Sequence, residues 1–232
     1  MKVPIGEFAL YPSVASTQDI ARERLEIGET PAVIFSHHQT EGRGRFQRTW
    51  HSTYGDSLTM SIIFHDYKNH KEPWLIGMSA AIAVASTIHC QLQWPNDLVY
   101  GGKKVGGILT ELITSGGKSK VPIVGIGINL NQTSFPEEIA HRATSIKVQT
   151  GRETDAESLA RQIVANLQNA PEPDSWASLR PAWELFDNTP GKEYKLTTGE
   201  LATAIGIGPN GELLCSVNGE TTSVMAAEAF FQ

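Results

Sequence analysis

The chain has 232 residues, of which 40% are hydrophobic and 19% are charged, and its formal net charge is -6. This length can bury a substantial core in one large domain, or in one domain with a small appendage. The acidic balance argues against a dedicated nucleic-acid binder, which usually carries a basic stripe. The two cysteines, Cys90 and Cys215, lie far apart, which excludes a CxxC motif and favours a reducing, cytoplasmic location.

Short β-rich runs and helical patterns alternate along most of the chain. After a lead-in over residues 1–13, Ser16 and Asp19 have the spacing of a capping box, and Gly28 ends the helix that follows. Residues 135–150 predict irregular structure. Further helices are predicted at residues 74–89, 155–167 and 175–186, and strands at residues 31–36, 57–64, 92–94, 98–100, 105–113 and 121–130.

The stretch from residue 73 to residue 96 is long enough to cross a bilayer and contains no Asp, Glu, Lys or Arg. It also contains several alanines and polar Gln91 and Gln93, so it is only weakly hydrophobic. A helix buried in the core is therefore favoured over a membrane span. The N-terminal residues include Glu7 and have no long apolar core, so no signal peptide is expected.

The pattern changes near residue 189. From Lys192 onward, short alternating strands are separated by turns such as Pro209-Asn210-Gly211, which is typical of a small antiparallel barrel or sandwich. We therefore predict two domains, one over residues 1–188 and one over residues 189–232.

Residues 39–50, here called the arginine loop, read QTEGRGRFQRTW and hold three of the nine arginines, Arg43, Arg45 and Arg48. Two glycines separate these arginines, so no regular helix or strand is predicted. Three forked guanidinium groups suit carboxylate or phosphate groups, which arginine binds in a bidentate manner. A solvated turn whose arginines pair with nearby acids is the alternative interpretation.

Other polar groups near the predicted strand ends are not explained by periodicity. Lys104 precedes an apolar run, so its ammonium is expected at the rim of the core, whereas Lys103 fits a solvated hairpin. Asp97 has two interpretations, an Asx turn or a group that orients a lysine or holds a hydrated magnesium ion. Asn129 lies in an apolar strand, where a satisfied core amide and a ligand contact are equally compatible with the sequence.

Motifs of several common enzyme classes are missing from the sequence. There is no P-loop, GxGxxG, HExxH or GxSxG pattern. The seven histidines have no metal-ligand spacing, and His37 and His38 are adjacent, so on a strand they would face opposite ways.

Four blocks occur in the order found in the biotin protein ligases: Ser16-Thr17-Gln18, Gln39 with GRGRFQRTW, WPNDLVYGGKKVGGIL and VGIGINLN. The chain therefore resembles that family, strongly over residues 10–130 and more loosely toward the C-terminus. The resemblance implies an α+β fold. Its catalytic domain would contain a mixed β-sheet flanked by helices, as in class II synthetases, followed by a small C-terminal SH3-like β-barrel.

The resemblance also implies roles for individual residues. Lys104 matches the family's essential lysine because it directly precedes Val105-Gly106-Gly107. The expected catalytic residues are Lys104, Arg45 and Asp97. The expected biotin contacts are Ser16, Thr17, Gln18, Gln39, Gly42, Arg43, Lys104, Gly106 and Gly107. The expected ATP and adenylate contacts are Arg45, Arg48, Trp50, Asn96 and Asn129. Asp97 is the expected contact for Mg²⁺.

The implied reaction has two steps. Biotin and ATP give biotinyl-5'-AMP and pyrophosphate, and biotin then passes to a lysine of a biotin carboxyl carrier protein, such as the acetyl-CoA carboxylase subunit, with release of AMP. Fixed cations would bring the two anionic substrates together. We expect a cytoplasmic monomer or homodimer without membrane association. About 15 residues precede Ser16, too few for a helix-turn-helix, so DNA binding and repression are expected to be absent.

The sequence departs from the family pattern at two places. Phe46-Gln47 stands where the family commonly has a glycine at the second position, and this is expected to stiffen the loop. Gln93 stands where a lysine often precedes Trp94, so a nearby cation is lost. We also expect the loop to be mobile without ligand and to order over the adenylate. The alternative functions are a lipoate ligase or octanoyltransferase, a biotin-dependent repressor, and a non-catalytic biotin-binding module.

Overall fold

The computed structural model describes residues 1–3, 8–29, 33–115 and 119–231, which form two β-sheets with helices packed against them. The strands of the larger sheet are, in chain order, β1 (Phe8–Tyr11), β2 (Val33–Ser36), β3 (Ser57–Ile63), β4 (Gln91–Gln93), β5 (Asp97–Tyr100), β6 (Lys103–Ser115) and β7 (Ser119–Asn129). Their order across the sheet is β1-β2-β3-β7-β6-β5-β4. β1 and β2 run parallel and the other neighbours antiparallel, so the sheet is mixed, as predicted.

Helices cover both faces of the larger sheet. Their bounds are α1 (Thr17–Glu26), α2 (Trp74–Ile88), α3 (Glu137–Ala140), α4 (Ile146–Thr150), α5 (Ala156–Leu167) and α6 (Trp176–Glu184). On one face, Ala21 and Leu25 of α1 pack with Ile34, Ile63 and Ile123. On the other face, α2 and α5 pack on the sheet and on each other, and α6 packs on α2.

α2 forms the centre of the main core. Twelve of its fifteen residues are buried, and their mostly small side chains let the sheet and two helices approach closely. Within the described ranges, no helix is both long and apolar enough to cross a membrane. The prediction of a buried core helix is confirmed.

The smaller sheet contains β8 (Glu193–Leu196), β9 (Leu201–Ile207), β10 (Leu213–Val217), β11 (Glu220–Val224) and β12 (Ala229–Phe231). Its order is β11-β10-β9-β8-β12, and all neighbouring strands are antiparallel, which confirms the predicted strand pattern. Its buried residues, such as Tyr194 and Leu213, belong to the same core as α2. The division into domains at residues 188 and 189 stays a prediction.

Three local predictions were wrong. The lead-in contains β1, whose pairing depends on β2 rather than on a local pattern. The stretch predicted to be irregular contains α3 and α4, the second of which is capped by the Ser145 hydroxyl. Ser16 precedes α1 with extended backbone, but no capping bond from its side chain is found among the described residues. The first two residues of the strand predicted at 31–36 lie outside the described ranges.

Candidate active site

The start of α1 holds a network of short polar contacts. The Thr17 backbone N–H donates to Oε1 of Gln39 at 2.7 Å, and the Thr17 hydroxyl lies 3.0 Å from the same oxygen. The Thr17 hydroxyl also lies 2.8 Å from the hydroxyl of Ser61 on β3. Thr17, which is itself bonded to β3, therefore fixes the Gln39 side chain at the first residue of the arginine loop.

Gln18 is buried beside this network, with 4% of its surface exposed. Its Nε2 donates to Glu111 on β6 at 3.0 Å, while its Oε1 has no partner among the described residues. Gly125 on β7 makes room for the amide, since a Cβ there would lie 3.2 Å from Gln18 Cδ. A buried carbonyl without a donor is costly, so it favours a ligand or water that donates a hydrogen bond.

The arginine loop is irregular, as predicted, apart from one 3₁₀ turn at Arg45–Gln47. The Trp50 backbone N–H donates to the Gly42 carbonyl at 2.8 Å, and a Cβ at Gly42 would lie 2.9 Å from the Trp50 carbonyl oxygen. Phe46 and Gln47 have φ values of 56° and 57°, a region that favours glycine. The resemblance implies a glycine at the second of these positions, and glycine adopts a φ of this sign without strain.

Arg43 points toward α1 and not along the loop. Its Nη1 and Nη2 donate to the two carboxylate oxygens of Asp19 at 2.6 and 2.5 Å. Glu111 lies 4.0 Å from Arg43 Nη2. The hydrogen bond to Arg43 is the main reason that the pKa of Asp19 is lowered, and the pKa of Arg43 is raised by the same bond.

Arg45 and Arg48 extend from the other end of the loop toward the C-terminal residues. Arg45 Nη2 donates to the Ala226 carbonyl at 3.0 Å, and its guanidinium lies 4.8 Å from the ring centre of Phe46. The guanidinium of Arg48 lies 5.3 Å from the ring centre of Phe230. Burial lowers the pKa of Arg45, although nearby Asp97 acts in the opposite direction.

Lys104 lies at the start of β6, opposite β5. Its ammonium donates to the Asp97 carboxylate at 2.5 Å, and its backbone is held by two bonds of 2.8 Å with Arg142 and Thr144. Gly107 lies beside this ammonium, and a Cβ there would be in ordinary contact with the Lys104 Nζ at 3.6 Å. The predicted pairing of Asp97 with a lysine is therefore present.

Trp50 and Asn129 both lie at β7, and their surroundings differ. Trp50 lies over Gly127, where a Cβ would come within 2.9 Å of its ring. The Asn129 Nδ2 donates to the Thr144 carbonyl at 2.9 Å, and its Oδ1 lies 3.4 Å from Gln132 Nε2. The Asn129 amide thus has partners within the protein.

These groups surround one pocket of about 280 Å³, close to the lower limit for small-molecule sites. The predicted site residues that line it are Ser16, Thr17, Gln18, Gln39, Arg43, Arg45, Arg48, Trp50, Asn96, Asp97, Lys104, Gly107 and Asn129. Gly42 and Gly106 are not among the described lining residues, and Gly106 instead packs between Leu98 and the backbone of β7. The pocket therefore brings nearly all of the predicted residues together.

Four residues near the pocket were not predicted. Asp19 and Glu111 surround Arg43, and Arg142 and Phe230 line the pocket itself. No local pattern marks them, because their partners are far away in sequence.

The donor set also limits the metal chemistry of the pocket. Within the described residues, no three His, Cys, Asp or Glu side chains come together as a metal site. Asp97 is the one carboxylate among the described lining residues. A single carboxylate fits a hydrated magnesium ion that arrives with phosphate groups, and not a metal held by the protein alone.

Several known proteins are similar to this chain in sequence. The chain is 34% identical over 170 residues to the bifunctional ligase/repressor BirA of Bacillus spizizenii, an alignment that covers 69% of this chain and 52% of the relative. It is 26% identical over 217 residues to the biotin–[acetyl-CoA-carboxylase] ligase of Paracoccus denitrificans, covering 86% and 90% of the two chains. The chain thus spans about half of the first relative and most of the second.

A solved structure is also similar. The biotin protein ligase from Aquifex aeolicus in complex with biotin and ATP is 25% identical, with a TM-score of 0.78, and the match covers 97% of this chain and 98% of that one. The sequence pattern of the biotin/lipoate A/B protein ligase family matches residues 10–129, more than half of the chain. The chain therefore belongs to the biotin/lipoate A/B protein ligase family and has the fold of the biotin protein ligases.

Proposed function

We propose that the chain joins biotin to a lysine of a carrier protein in two steps, with biotinyl-5'-AMP as the intermediate. The observation that carries this proposal is a single pocket that unites three groups far apart in sequence. These are the Thr17–Gln39 pair, the Lys104–Asp97 pair, and Arg45 with Arg48. The pocket combines uncharged polar groups, an apolar wall and cations. Such a pocket suits a ligand with a neutral polar head, an apolar body and an anionic end.

Biotin has this chemistry, with a ureido ring at one end and a carboxylate at the other. The unpartnered Gln18 carbonyl supports a ring N–H donor at that end of the pocket. Ser16, Thr17, Gln39 and the backbone of Gly42 and Arg43 are proposed to complete the ureido site. Met60 and Ile126 supply apolar wall, and Lys104 would meet the carboxylate.

ATP is proposed to bind beside the other end of the arginine loop. Arg45 and Arg48 are the loop cations directed there, because the Arg43 guanidinium is engaged by Asp19. The Arg142 carbonyl accepts a hydrogen bond from the Lys104 backbone N–H, and Arg142 lines the same pocket, so we add it as a phosphate contact. The adenine and sugar roles of Trp50, Asn96 and Asn129 stay proposals.

In the first step, a biotin carboxylate oxygen attacks the α-phosphorus of ATP. A new O–P bond forms, the bond to the bridging oxygen breaks, and pyrophosphate leaves. Both reactants are anions, so fixed cations must offset their repulsion, and Lys104 stands between the two proposed subsites. Asp97 would hold the Lys104 ammonium in place through the 2.5 Å contact, so that little reorganisation is needed in the transition state.

In the second step, a neutral lysine amine of the carrier attacks the adenylate carbonyl. An amide bond forms, the bond between the carbonyl carbon and the phosphate oxygen breaks, and AMP leaves. The proton of the amine passes to solvent or to a nearby carboxylate. Asp97 is the one carboxylate among the described lining residues and is our candidate for that acceptor. The closed arginine loop would exclude water from the reactive anhydride until the carrier arrives.

Magnesium is proposed to accompany the triphosphate, where it would neutralise charge on the phosphate oxygens. Asp97 is the residue that would contact its hydration shell. We further propose a biotin carboxyl carrier protein as acceptor and a cytoplasmic location. The choice between monomer and homodimer and the absence of DNA binding stay predictions, the second of which is tested by a mobility shift with operator-type DNA at physiological salt.

The test is to incubate the protein with biotin, Mg-ATP and a carrier domain and to record intact masses. We expect biotinyl-5'-AMP and pyrophosphate without the carrier, and a single added biotinyl group on the carrier when it is present. Activation of lipoate or octanoate in place of biotin would identify the rival acyl transfer enzymes. Biotin binding without adenylate would identify a non-catalytic binding module.

A further inference from the structure

The C-terminal strand of the chain touches the arginine loop. The rings of Phe46 and Phe230 are 5.9 Å apart in an edge-to-face arrangement. Arg48 lies over the Phe230 ring, and Arg45 donates to the Ala226 carbonyl. We call the set of Phe46, Arg48 and Phe230 the aromatic clasp. Its two sides are more than 180 residues apart in sequence.

The strand that carries Phe230 is itself firmly held. β12 pairs with β8, and Phe231 packs on Tyr194 with ring centres 5.5 Å apart. The buried Tyr194 hydroxyl donates to the Trp94 carbonyl at 2.7 Å, and Trp94 Nε1 donates to the Gly211 carbonyl at 2.9 Å. The smaller sheet is thus fixed to the segment that leads directly into Asn96 and Asp97.

Phe46 is costly without such a contact. It has a φ of 56° and 53% of its surface is exposed, a conformation and an exposure that both disfavour a large aromatic residue. The ring of Phe230 and the guanidinium of Arg45 both pack on it. If small residues occupied this part of the arginine loop, the contacts with Phe230 and Arg45 would not be needed.

We infer that Phe230 is a positioning residue of the adenylation site, which acts through the aromatic clasp to hold Arg45 and Arg48 over the pocket and so slows release of biotinyl-5'-AMP. Phe230 can have this role only if the chain forms the adenylate, so the inference rests on the function proposed above. It gives the smaller sheet a defined task, which is to anchor the phosphate end of the loop. Contacts of this type contribute modestly, so the effect on release should be about threefold to tenfold.

The experiment measures how fast preformed biotinyl-5'-AMP leaves the full-length protein, by chasing labelled adenylate with unlabelled ligand. Phe230→Ala and Phe46→Ala should each raise the release rate by about threefold to tenfold. The effect of the double variant should be smaller than the product of the two single effects, because both variants remove the shared contact between the two rings. Phe230→Tyr keeps the ring and should stay within about twofold of the parent protein.

Ile205→Ala is the matched control, since it removes a half-exposed apolar side chain from β9 of the same sheet. It should leave release within about twofold of the parent rate. A release rate in Phe46→Ala equal to that of the parent, or an equal rise in Ile205→Ala, would overturn the role of the clasp. Phe46→Ala decides the matter if Phe230→Ala does not fold, because Phe46 lies on the exposed loop.

The two possible failures are distinguishable. If the parent protein forms no adenylate from biotin and Mg-ATP, the proposed function is wrong and the clasp has no task. If the parent forms and retains adenylate but both clasp variants retain it equally well, the function stands and the inference about Phe230 is wrong.

Discussion

The two ends of the arginine loop are held in place by different kinds of contact. At the first end, Arg43 makes two charged hydrogen bonds of 2.6 and 2.5 Å to Asp19 on α1. At the second end, Arg45 Nη2 donates to the Ala226 carbonyl, and the Arg48 guanidinium lies over the ring of Phe230. A bidentate ion pair fixes both distance and orientation, whereas ring contacts are weaker and less directional.

The difference in contacts between the two ends explains how one loop can serve two substrates. The end directed at the proposed biotin site is preformed on α1, so biotin would bind without ordering it. The end directed at the proposed nucleotide site is joined to the rest of the protein by contacts that separate more easily. We therefore predict that mobility in the absence of ligand is concentrated around Arg45 and Arg48, and that ATP or the adenylate reduces it.

The largest effect on the rate of adenylate formation is expected at Lys104, which lies outside the arginine loop. Lys104→Ala should lower the rate of adenylate formation by about 10²-fold or more, because it removes the cation between the two anionic reactants. Biotin-dependent ATP–pyrophosphate exchange measures this rate. Lys103→Ala, on the exposed neighbouring residue, is the control and should keep nearly the parent rate. Equal losses in both variants would mean a general charge effect.

The second end should be the more sensitive to loss of a cation. Arg45→Ala is expected to speed release of biotinyl-5'-AMP by about tenfold to a hundredfold, since one charged hydrogen bond to phosphate contributes about 1.5 to 3 kcal/mol. The adenylate chase measures this rate, with Arg152→Ala as an exposed arginine control. A release rate that does not change would show that Arg45 is not part of a lid.

A change at the first end of the loop should affect the KM for biotin and not the KM for ATP. Asp19→Asn keeps the size of the side chain but removes the charge that Arg43 grips, and it should raise the KM for biotin by about threefold to tenfold with little change in kcat. Steady-state exchange kinetics with each substrate varied separately measures the split. An increase confined to the KM for ATP would reverse the assignment of the two ends.

The same ion pair gives a pH dependence with a defined sign. The pKa of Asp19 is lowered in the folded protein, so the pair stabilises the fold at pH values above the ordinary carboxyl range. That contribution is lost as the pH falls through the lowered pKa. The difference in thermal stability between the parent and Asp19→Asn should therefore shrink on acidification below about pH 4. A difference that persists unchanged at lower pH would rule out the ion pair as its source.

A separate effect, on stability and not on catalysis, concerns the anchor of the second end. Tyr194→Phe removes the buried hydroxyl that donates to the Trp94 carbonyl and should lower the free energy of unfolding by about 1 to 3 kcal/mol. Urea unfolding measures it. Tyr54→Phe, at a residue 61% exposed, is the control and should change stability by less than about 0.5 kcal/mol.

Most elements of the fold could be predicted from the sequence because their signals are local. The long apolar runs of β3 and β7, the glycine turn between β5 and β6, and the uncharged stretch of α2 each specify their own structure. β1 could not be predicted, since its four residues form a strand only through pairing with β2. α3 and α4 are too short to display a helical period.

The residues of the candidate site were predicted from the order of the sequence motifs. The contacts between these residues could not be predicted in this way. The order of motifs identified Lys104, Gln39 and the arginines, and the structure brings them into one pocket. The partner of Arg43 lies 24 positions away and that of Arg45 lies 181 positions away. Spacing along the chain has no information about such pairs, so the sequence predicted Arg43 as a biotin contact without indicating that its guanidinium binds Asp19.

The most direct test of the division between the two ends is one set of exchange kinetics on Asp19→Asn and Phe230→Ala, with biotin and ATP varied in turn. We predict opposite patterns. The KM for biotin should rise in Asp19→Asn while its KM for ATP stays near the parent value, and Phe230→Ala should raise the KM for ATP alone. Equal increases for both substrates in both variants would contradict the division and show that the loop moves as one unit.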